Sequence, residues 1–328
     1  LAMMLAAGWR TPAPVAAAPP ASRCTWRVQT AQRGLAWPRV IPVALGLAAG
    51  ASRRAHAKAA RAEASEASDS RLSLDLRGRK ALVTGGSRGI GLATAELLLS
   101  LGADVVICAR GEEDLLAAAQ QMPQSEHCVA IQADLSSEEG VTKLELDILV
   151  NNCGINIRKR AEDFTQEEFQ QVFDTNFMSC MWLSKAALPL LKKASQNGGR
   201  AGGAAIVNIS SVAGSGHIPS GFPYAASKAA MNQMTRNLAV EWARFGIRVN
   251  AVAPGAIATP LVAKANPTYI DDFKGRKPLG RLGDVKEVAW PIAFLASGAA
   301  AFITGQTLHV DGGFTATSFN EVPDYWAE

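Results

Sequence analysis

Short apolar runs alternate with longer amphipathic stretches from residue 80 onward. Apolar and β-branched residues fill the short runs almost continuously, which predicts strands buried on both faces. We predict strands at 80–84, 104–108, 127–132, 146–150, 204–209, 247–252 and 307–310, and helices at 89–101, from 112, at 165–193, at 222–245 and from 285. This alternation predicts an α/β fold, in which one doubly wound parallel sheet carries helices on both faces in a single domain over 71–328.

The first 70 residues have a different composition. Residues 1–62 contain eight arginines, one lysine and no acid, and are rich in alanine and proline, which is typical of an organelle transit peptide. The most apolar stretch, 40–51, contains Pro42 and is shorter than the roughly 20 residues that a membrane-spanning helix needs. We predict a targeting or disordered segment over 1–70, a plastid address before a mitochondrial one, and no membrane span. A secretory signal ending near Ala55-His56-Ala57 stays open, as does a cytoplasmic protein if the segment is not a signal.

Charge and cysteine usage exclude several classes of function. The net charge is +4, but 63–328 carries 24 basic against 29 acidic residues, so the folded part gives no reason to expect nucleic-acid binding. Five cysteines and four histidines are scattered without metal-ligand spacing, and we predict no metal site.

A glycine-rich turn connects the first predicted strand to the first predicted helix. Its glycines follow a G-x-x-x-G-x-G pattern. Glycine lets the backbone approach a pyrophosphate, and a helix start offers free N–H groups and the positive end of the helix dipole. We therefore predict nucleotide binding by Gly85, Ser87, Arg88, Gly89, Ile90 and Gly91.

The end of the second strand bears on the choice of nucleotide. NAD sites usually carry an acid here to hold the ribose hydroxyls, but this strand ends in Ala109 followed by Arg110. Arg110 and Arg88 offer planar guanidinium groups that suit a 2′-phosphate. Glu112 and Glu113 follow closely and act against this interpretation. On balance the sequence favours NADP(H).

Tyr224 and Lys228 stand four residues apart in a predicted helix, which places both side chains on one face. A free phenol has a pKa of about 10, and a nearby cation can lower it by about 1–3 units. Such a phenol can exchange a proton with a carbonyl or alcohol oxygen near neutral pH. The spacing also occurs on ordinary helices, so the pair alone does not identify an enzyme.

Several motifs together resemble the short-chain dehydrogenases/reductases. They are Asn151-Asn-Cys-Gly154, Asn208-Ile-Ser-Ser211, Tyr224-Ala-Ala-Ser-Lys228, Arg248-Val-Asn-Ala-Val-Ala-Pro-Gly255, and Thr304-Gly-Gln with Val310-Asp-Gly-Gly313. The resemblance covers roughly 77–316 and is greatest to tropinone-reductase-like members, with 3-oxoacyl-carrier-protein reductases second. It implies a Rossmann-type fold, a nicotinamide cofactor, and hydride transfer between that cofactor and a ketone or secondary alcohol.

The resemblance also implies roles for individual residues. Tyr224 would be the general acid/base, and Lys228 would hold the nicotinamide ribose and lower the tyrosine pKa, so that both contact the cofactor. Ser211, rather than Ser210, would hydrogen-bond the substrate oxygen, and Asn176 would position a water in a proton relay. The remaining implied cofactor contacts are Asp134 and Leu135 beside the adenine, Asn152 and Gly154 after the fourth strand, and Pro254, Gly255, Ile257 and Thr259 beside the carboxamide.

The connection between the third and fourth strands departs from the family pattern. Only ten residues, 136–145, are available, and the two strand ends should lie about 22 Å apart across the sheet. Ten helical residues cover about 15 Å, so we predict at most one or two helical turns with extended ends.

The substrate and the activity stay open at three hypotheses. Segments 215–221 and 260–281 would shape a pocket for a small or medium, partly apolar ketone, and the family resemblance implies a homodimer or homotetramer. The chain would be an NADPH-dependent carbonyl reductase, a 3-oxoacyl-[acyl-carrier-protein] reductase of fatty-acid synthesis, or a non-catalytic cofactor-binding protein.

Overall fold

Seven parallel strands form one sheet in the part of the chain that the structure, a computed structural model, describes. The described residues are 74–132, 146–196, 202–217, 221–263, 270–271 and 274–317. The strands are β1 (Lys80–Thr84), β2 (Asp104–Ala109), β3 (Cys128–Gln132), β4 (Ile148–Asn151), β5 (Ala204–Ile209), β6 (Ile247–Pro254) and β7 (Thr307–Val310). Their spatial order is β3-β2-β1-β4-β5-β6-β7, which confirms the doubly wound parallel sheet.

Helices cover both faces of this sheet. They are α1 (Gly89–Ser100), α2 (Glu112–Gln121), α3 (Gln166–Phe173), α4 (Ser179–Gln196), α5 (Phe222–Trp242), α6 (Pro260–Ala263) and α7 (Val285–Ala296). None of the described helices has both the length and the apolar character needed to cross a bilayer.

Alternate residues of the central strands enter two separate cores. On β1, Ala81 and Val83 pack with residues of α1, α2 and α7, whereas Leu82 packs with residues of α4 and α5. Leu149 of β4 belongs to the second core, while its two neighbours Ile148 and Val150 belong to the first. Each buried Val, Leu or Ile side chain among them contributes about 1.5–3 kcal/mol relative to an exposed one. Burial on both faces explains why the strands are continuously apolar in sequence.

The helix predicted over 165–193 is interrupted by one wider turn. Its capping box is present, because the Glu168 N–H donates to Thr165 Oγ1 at 3.2 Å and the Thr165 N–H donates to Glu168 Oε2 at 3.1 Å. However, α3 ends at Phe173, a π-helical turn occupies Asp174–Met178, and α4 continues to Gln196. Such turns are rare and short inside longer helices, and the sequence analysis did not predict this one.

Several sequence predictions lie outside the described residues. They are the N-terminal segment 1–70, the short connection over 136–145, the two adenine-side positions Asp134 and Leu135, and parts of the pocket segments 215–221 and 260–281.

The carboxyl ends of the strands meet along one edge of the sheet. The chain winds outward from β1 toward β3 in one direction and from β4 toward β7 in the other. A crevice opens at this switch point in doubly wound sheets, between the loops that follow the two central strands. The segments after β1, β2, β4, β5 and β6 therefore meet around one cavity.

Candidate active site

The turn after β1 has a backbone that requires glycine. Gly85 and Gly89 have φ angles of +66° and +59°, a region that other residues rarely adopt. At Gly91, a Cβ atom would lie 2.3 Å from the carbonyl oxygen of Gly85. The turn therefore packs tightly on the first residues of α1. No side chain caps this helix, so its first N–H groups are available to an anion.

Thr84, which the sequence reasoning did not single out, connects this turn to the segment after β4. Its hydroxyl accepts hydrogen bonds from the backbone N–H groups of Asn152, at 2.8 Å, and Cys153, at 3.0 Å. The Asn152 side chain donates in return to the Thr84 carbonyl oxygen at 2.9 Å. Thr84 thus fixes the two sides of the crevice relative to each other. Its only sequence signal is a hydroxyl residue at the end of an apolar strand.

The Lys228 ammonium lies beneath the Tyr224 ring. Its Nζ atom is 5.8 Å from the ring centroid and donates to the Ile209 carbonyl oxygen at 2.7 Å. Lys228 is buried, and burial lowers the pKa of its amine. Gly154 lies beside it, because a Cβ atom at Gly154 would be 3.6 Å from Nζ. The structure therefore brings together a phenol, a buried cation and the turn after β4.

Two serines follow β5, and they differ in their contacts. The Ser210 hydroxyl donates to the Lys228 carbonyl oxygen at 3.3 Å. Ser211 Oγ accepts from the Ala213 N–H at 3.2 Å, and both serines line the cavity that contains Tyr224. An accepting Ser211 oxygen keeps its own O–H for donation to a ligand, whereas the Ser210 hydroxyl already donates to the backbone.

Asn176 lies in the π-helical turn and is fully buried. Its side chain forms two hydrogen bonds with the backbone of Ile155, at 2.8 Å and 3.0 Å, and donates to Ser227 Oγ at 3.1 Å. The Ser227 hydroxyl donates in turn to the Tyr224 carbonyl oxygen at 2.7 Å. Asn176 does not itself line the cavity. The chain of contacts connects it to the first turn of the tyrosine-bearing helix through Ser227, which the sequence reasoning missed.

One elongated cavity of about 480 Å³ contains most of the predicted site. It extends from the residues after β2, past β1 and β4, to those after β5, a distance of about 14 Å at the usual strand spacing. The predicted residues that line it are Gly85, Ser87, Arg88, Gly89, Ile90, Arg110, Asn152, Gly154, Ser211, Tyr224, Lys228, Pro254, Gly255, Ile257 and Thr259. Gly91 lies inside the turn rather than in the cavity lining.

The cavity also contains an acidic residue that the sequence reasoning did not weigh. Asp114, in the first turn of α2, lines the same cavity as Arg88 and Arg110. The cavity lining therefore contains the carboxylate of Asp114 beside the guanidinium groups of Arg88, Arg110 and Arg158. The uncapped helix start, the elongated shape and these cations fit a phosphate-containing dinucleotide.

Comparisons with known proteins identify the class that this fold and site define. A family model described as enoyl-(acyl carrier protein) reductase matches residues 85–315. The chain belongs to the short-chain dehydrogenase/reductase family, whose members are oxidoreductases that act on CH–OH/C=O groups with nicotinamide cofactors.

Individual relatives are tropinone reductase homologs of Arabidopsis thaliana. One is 42% identical over 258 residues, which cover 75% of this chain and 95% of that protein. Another, named as chloroplastic, is 42% identical over 257 residues, which cover 74% of this chain and 78% of that protein.

Solved structures agree with the family. A short chain dehydrogenase/reductase family protein superposes with a TM-score of 0.66 at 38% identity, covering 74% of this chain and 99% of the other. A 3-oxoacyl-[acyl-carrier protein] reductase from Brucella melitensis superposes with a TM-score of 0.67 at 33% identity, covering 74% of this chain and 93% of the other.

Proposed function

We propose that this protein is an NADPH-dependent carbonyl reductase of the tropinone-reductase-like type. The observation that carries the proposal is the position of Tyr224, Lys228 and Ser211 in the same cavity as the glycine turn. The bound cofactor supplies the hydride, which requires a proton donor beside the carbonyl oxygen. Tyr224 is the partly exposed phenol at that end of the cavity, so its hydroxyl is the donor.

The buried cation adapts Tyr224 to this role. A positive charge near a phenol ring favours the phenolate form. The Ile209 carbonyl oxygen holds the ammonium in place at 2.7 Å. Ser211 would donate a hydrogen bond to the substrate oxygen and orient it toward Tyr224. Asn176 would fix the segment after β4 relative to the start of α5. It would thereby support the proton relay that supplies Tyr224.

Charged residues that line the cavity near the end of β2 are the basis for the proposed preference for NADP(H). Arg88 and Arg110 supply two cations for a 2′-phosphate, against the single carboxylate of Asp114. A carboxylate that accepted both ribose hydroxyls would favour NADH instead. The balance of charge supports NADP(H).

A screen of reduced-cofactor oxidation tests the proposed function. Purified protein is mixed with NADPH or NADH and a panel of free ketones, from small cyclic to aryl-alkyl, beside carrier-linked 3-oxoacyl thioesters. We expect turnover of at least one free ketone with NADPH, and its loss in Tyr224→Phe. A protein that binds NADPH but reduces no member of either panel would be a non-catalytic cofactor-binding protein, and the proposal would be wrong.

A second candidate is a 3-oxoacyl-[acyl-carrier-protein] reductase. The similarity to the Brucella melitensis structure favours it, as would an organelle address for 1–70. The same screen discriminates between the two, because this alternative requires a higher kcat/KM for the carrier-linked thioester than for every free ketone. We retain the free ketone as the first choice because the named relatives are tropinone reductase homologs.

We also propose a location and an assembly. The acid-free segment 1–62 and the chloroplastic relative support plastid import, which a fluorescent fusion of residues 1–70 would test. A homodimer or homotetramer is proposed by analogy with the family, and multi-angle light scattering would decide it.

A further inference from the structure

One wall of the cavity depends on two other segments of the chain. The wall is the loop after β6, whose Pro254, Gly255, Ala256 and Ile257 line the cavity. The Gly283 N–H donates to the Ala256 carbonyl oxygen at 3.1 Å, and the Gly255 N–H donates to the Val310 carbonyl oxygen at 3.0 Å. The loop is therefore held from behind by the segment before α7 and by the end of β7.

The side chain of Lys277 connects the loop after β6 to these two segments. Its side chain is 3% exposed, and Nζ donates to the Ala256 carbonyl oxygen at 2.9 Å and to the Arg281 carbonyl oxygen at 3.5 Å. Its methylene stem packs near Gly312, where a Cβ atom would lie 3.7 Å from the lysine Cδ. A single side chain thus contacts all three segments from the side away from the cavity.

Charged groups of both signs surround the Lys277 amine. Burial, opposed by the Asp311 carboxylate and aided by the charge of Arg281, lowers the pKa of its amine to about 8. Asp311 keeps its own pKa low despite burial, because Thr315 and the Gly313 N–H donate to it. His309 adds to this effect, since it lowers the pKa of Asp311.

An amine held at this depth needs a compensating interaction. Moving an ammonium out of water is unfavourable unless it is hydrogen-bonded and paired. Charge-assisted hydrogen bonds are roughly twice as strong as neutral ones, so the protonated amine holds the Ala256 carbonyl more firmly than a neutral one. Ala256 lies between Gly255 and Ile257, two of the positions implied to contact the cofactor.

We propose that Lys277 is a positioning residue, whose ammonium fixes the Ala256 carbonyl and so sets the cavity wall against which the nicotinamide binds. The inference rests on the proposed function and deepens it, since it adds a residue outside the cavity that controls cofactor affinity. As the amine loses its proton above about pH 8, its hold on the loop weakens and cofactor affinity falls.

Two variants and a matched control test this. Lys277→Met removes the amine and keeps the stem, Lys277→Gln keeps a neutral donor, and Lys286→Met changes an exposed lysine on α7. NADPH dissociation constants are measured by fluorescence titration from pH 6.5 to 9.5. We expect about tenfold weaker binding by Lys277→Met at pH 7, a smaller loss for Lys277→Gln, and less than twofold change for Lys286→Met.

The pH dependence provides the readout that a purely structural role would not alter. Wild-type affinity should decrease through about pH 8, and the two Lys277 variants should lack that component. Lys228 also titrates beside the cofactor, but its contribution is common to all four proteins and cancels in the comparison. Equal pH slopes in wild type and Lys277→Met, or equal affinity at pH 7, would overturn the proposal.

A cofactor-free measurement separates this inference from the proposed function. Hydrogen–deuterium exchange of peptide 254–263 should be faster in Lys277→Met than in wild type, with exchange in β1 unchanged. Unchanged exchange in that peptide would contradict the role of Lys277. Wild-type protein that binds neither reduced cofactor would contradict the proposed function, while the exchange result still decides whether Lys277 holds the loop.

Discussion

Tyr224 and Lys228 meet because one helix turn places them on the same face, but their environment comes largely from three other segments. The Lys228 ammonium is held by a carbonyl at the end of β5, and Gly154, after β4, leaves room beside it. Asn176 and Ser227 then fix the first turn of α5. At the scale of residues, reactivity depends on burial and on hydrogen-bond partners that lie far away in sequence.

Removal of the Tyr224 hydroxyl tests the proton donor. Tyr224→Phe keeps the ring, so we expect NADPH affinity within about twofold of wild type and a loss of kcat of about 10²–10⁴-fold, the usual contribution of a general acid. Steady-state kinetics with the best ketone and a fluorescence titration measure the two effects. Near-wild-type turnover would require a different proton donor.

The two serines after β5 form a matched pair. Ser211→Ala should lower kcat/KM for the ketone by at least about tenfold, because a hydrogen bond to the reacting oxygen is lost. Ser210→Ala removes only the bond to the Lys228 carbonyl oxygen and should have a smaller effect. If Ser210→Ala were the more damaging change, the two roles would be exchanged.

Arg110 tests the cofactor preference. Arg110→Ala should reduce kcat/KM with NADPH by about tenfold or more, as expected for a lost charge-assisted bond, and change the value for NADH little. Glu113→Ala is the control, because Glu113 is exposed near the same helix start but does not line the cavity. An equal loss with both cofactors would mean that Arg110 does not recognise a 2′-phosphate.

At the scale of elements, buried polar side chains determine where helices and strands end and how they join. Arg248 on β6 is buried and donates to the carbonyl oxygens of Leu295, Ala296 and Ser297 at the end of α7. It also donates to the Gly202 carbonyl oxygen. Burial and the charge of Arg79 lower its pKa to about 10, and the guanidinium stays protonated at neutral pH.

Arg248→Met should therefore destabilise the fold by about 3 kcal/mol, because several carbonyl groups at the end of α7 lose a charged donor. Urea denaturation at pH 7 measures the change. Arg236→Met is a control, since this exposed arginine bonds only to Gln233 on the same helix among the described contacts. A loss of less than 1 kcal/mol for Arg248→Met would mean that water replaces the guanidinium at this helix end.

Secondary structure was predictable where the local pattern was strong. All seven strands lie within a few residues of their predictions, because burial on both faces leaves a continuous apolar run. The π-helical turn was not predictable, since it is stabilised by the tertiary contacts of Asn176 with Ile155 and Ser227.

At the scale of the whole molecule, the fold buries Lys277 behind the cavity wall, and this burial opposes folding. The pKa of Lys277 is about 8 in the folded protein, below its ordinary value of 10.5 in the unfolded chain. Between these values the unfolded chain binds more protons, so the lysine opposes folding below pH 8 and this opposition is relieved as pH rises toward 10.5.

Lys277→Met should remove this pH dependence. We expect the stability of wild type, relative to that of the variant, to increase from pH 7.5 to pH 10, as measured by urea denaturation at each pH. Lys228 shifts in the same direction but is present in both proteins, so the comparison isolates Lys277. A difference in stability that does not change with pH would mean that the pKa of the amine is the same in the folded protein as in the unfolded chain.

The sequence alone determined the class of fold and the composition of the catalytic and glycine-rich motifs. These features are local, because apolar periodicity reports burial and the motif residues stand within a few positions of one another. Only the tertiary structure decided what surrounds them: the Thr84 bridge between β1 and β4, the acidic Asp114 beside two arginines, and the Lys277 contact behind the cofactor loop. Such contacts join residues far apart along the chain, and their chemistry depends on distance and burial, which no local pattern records.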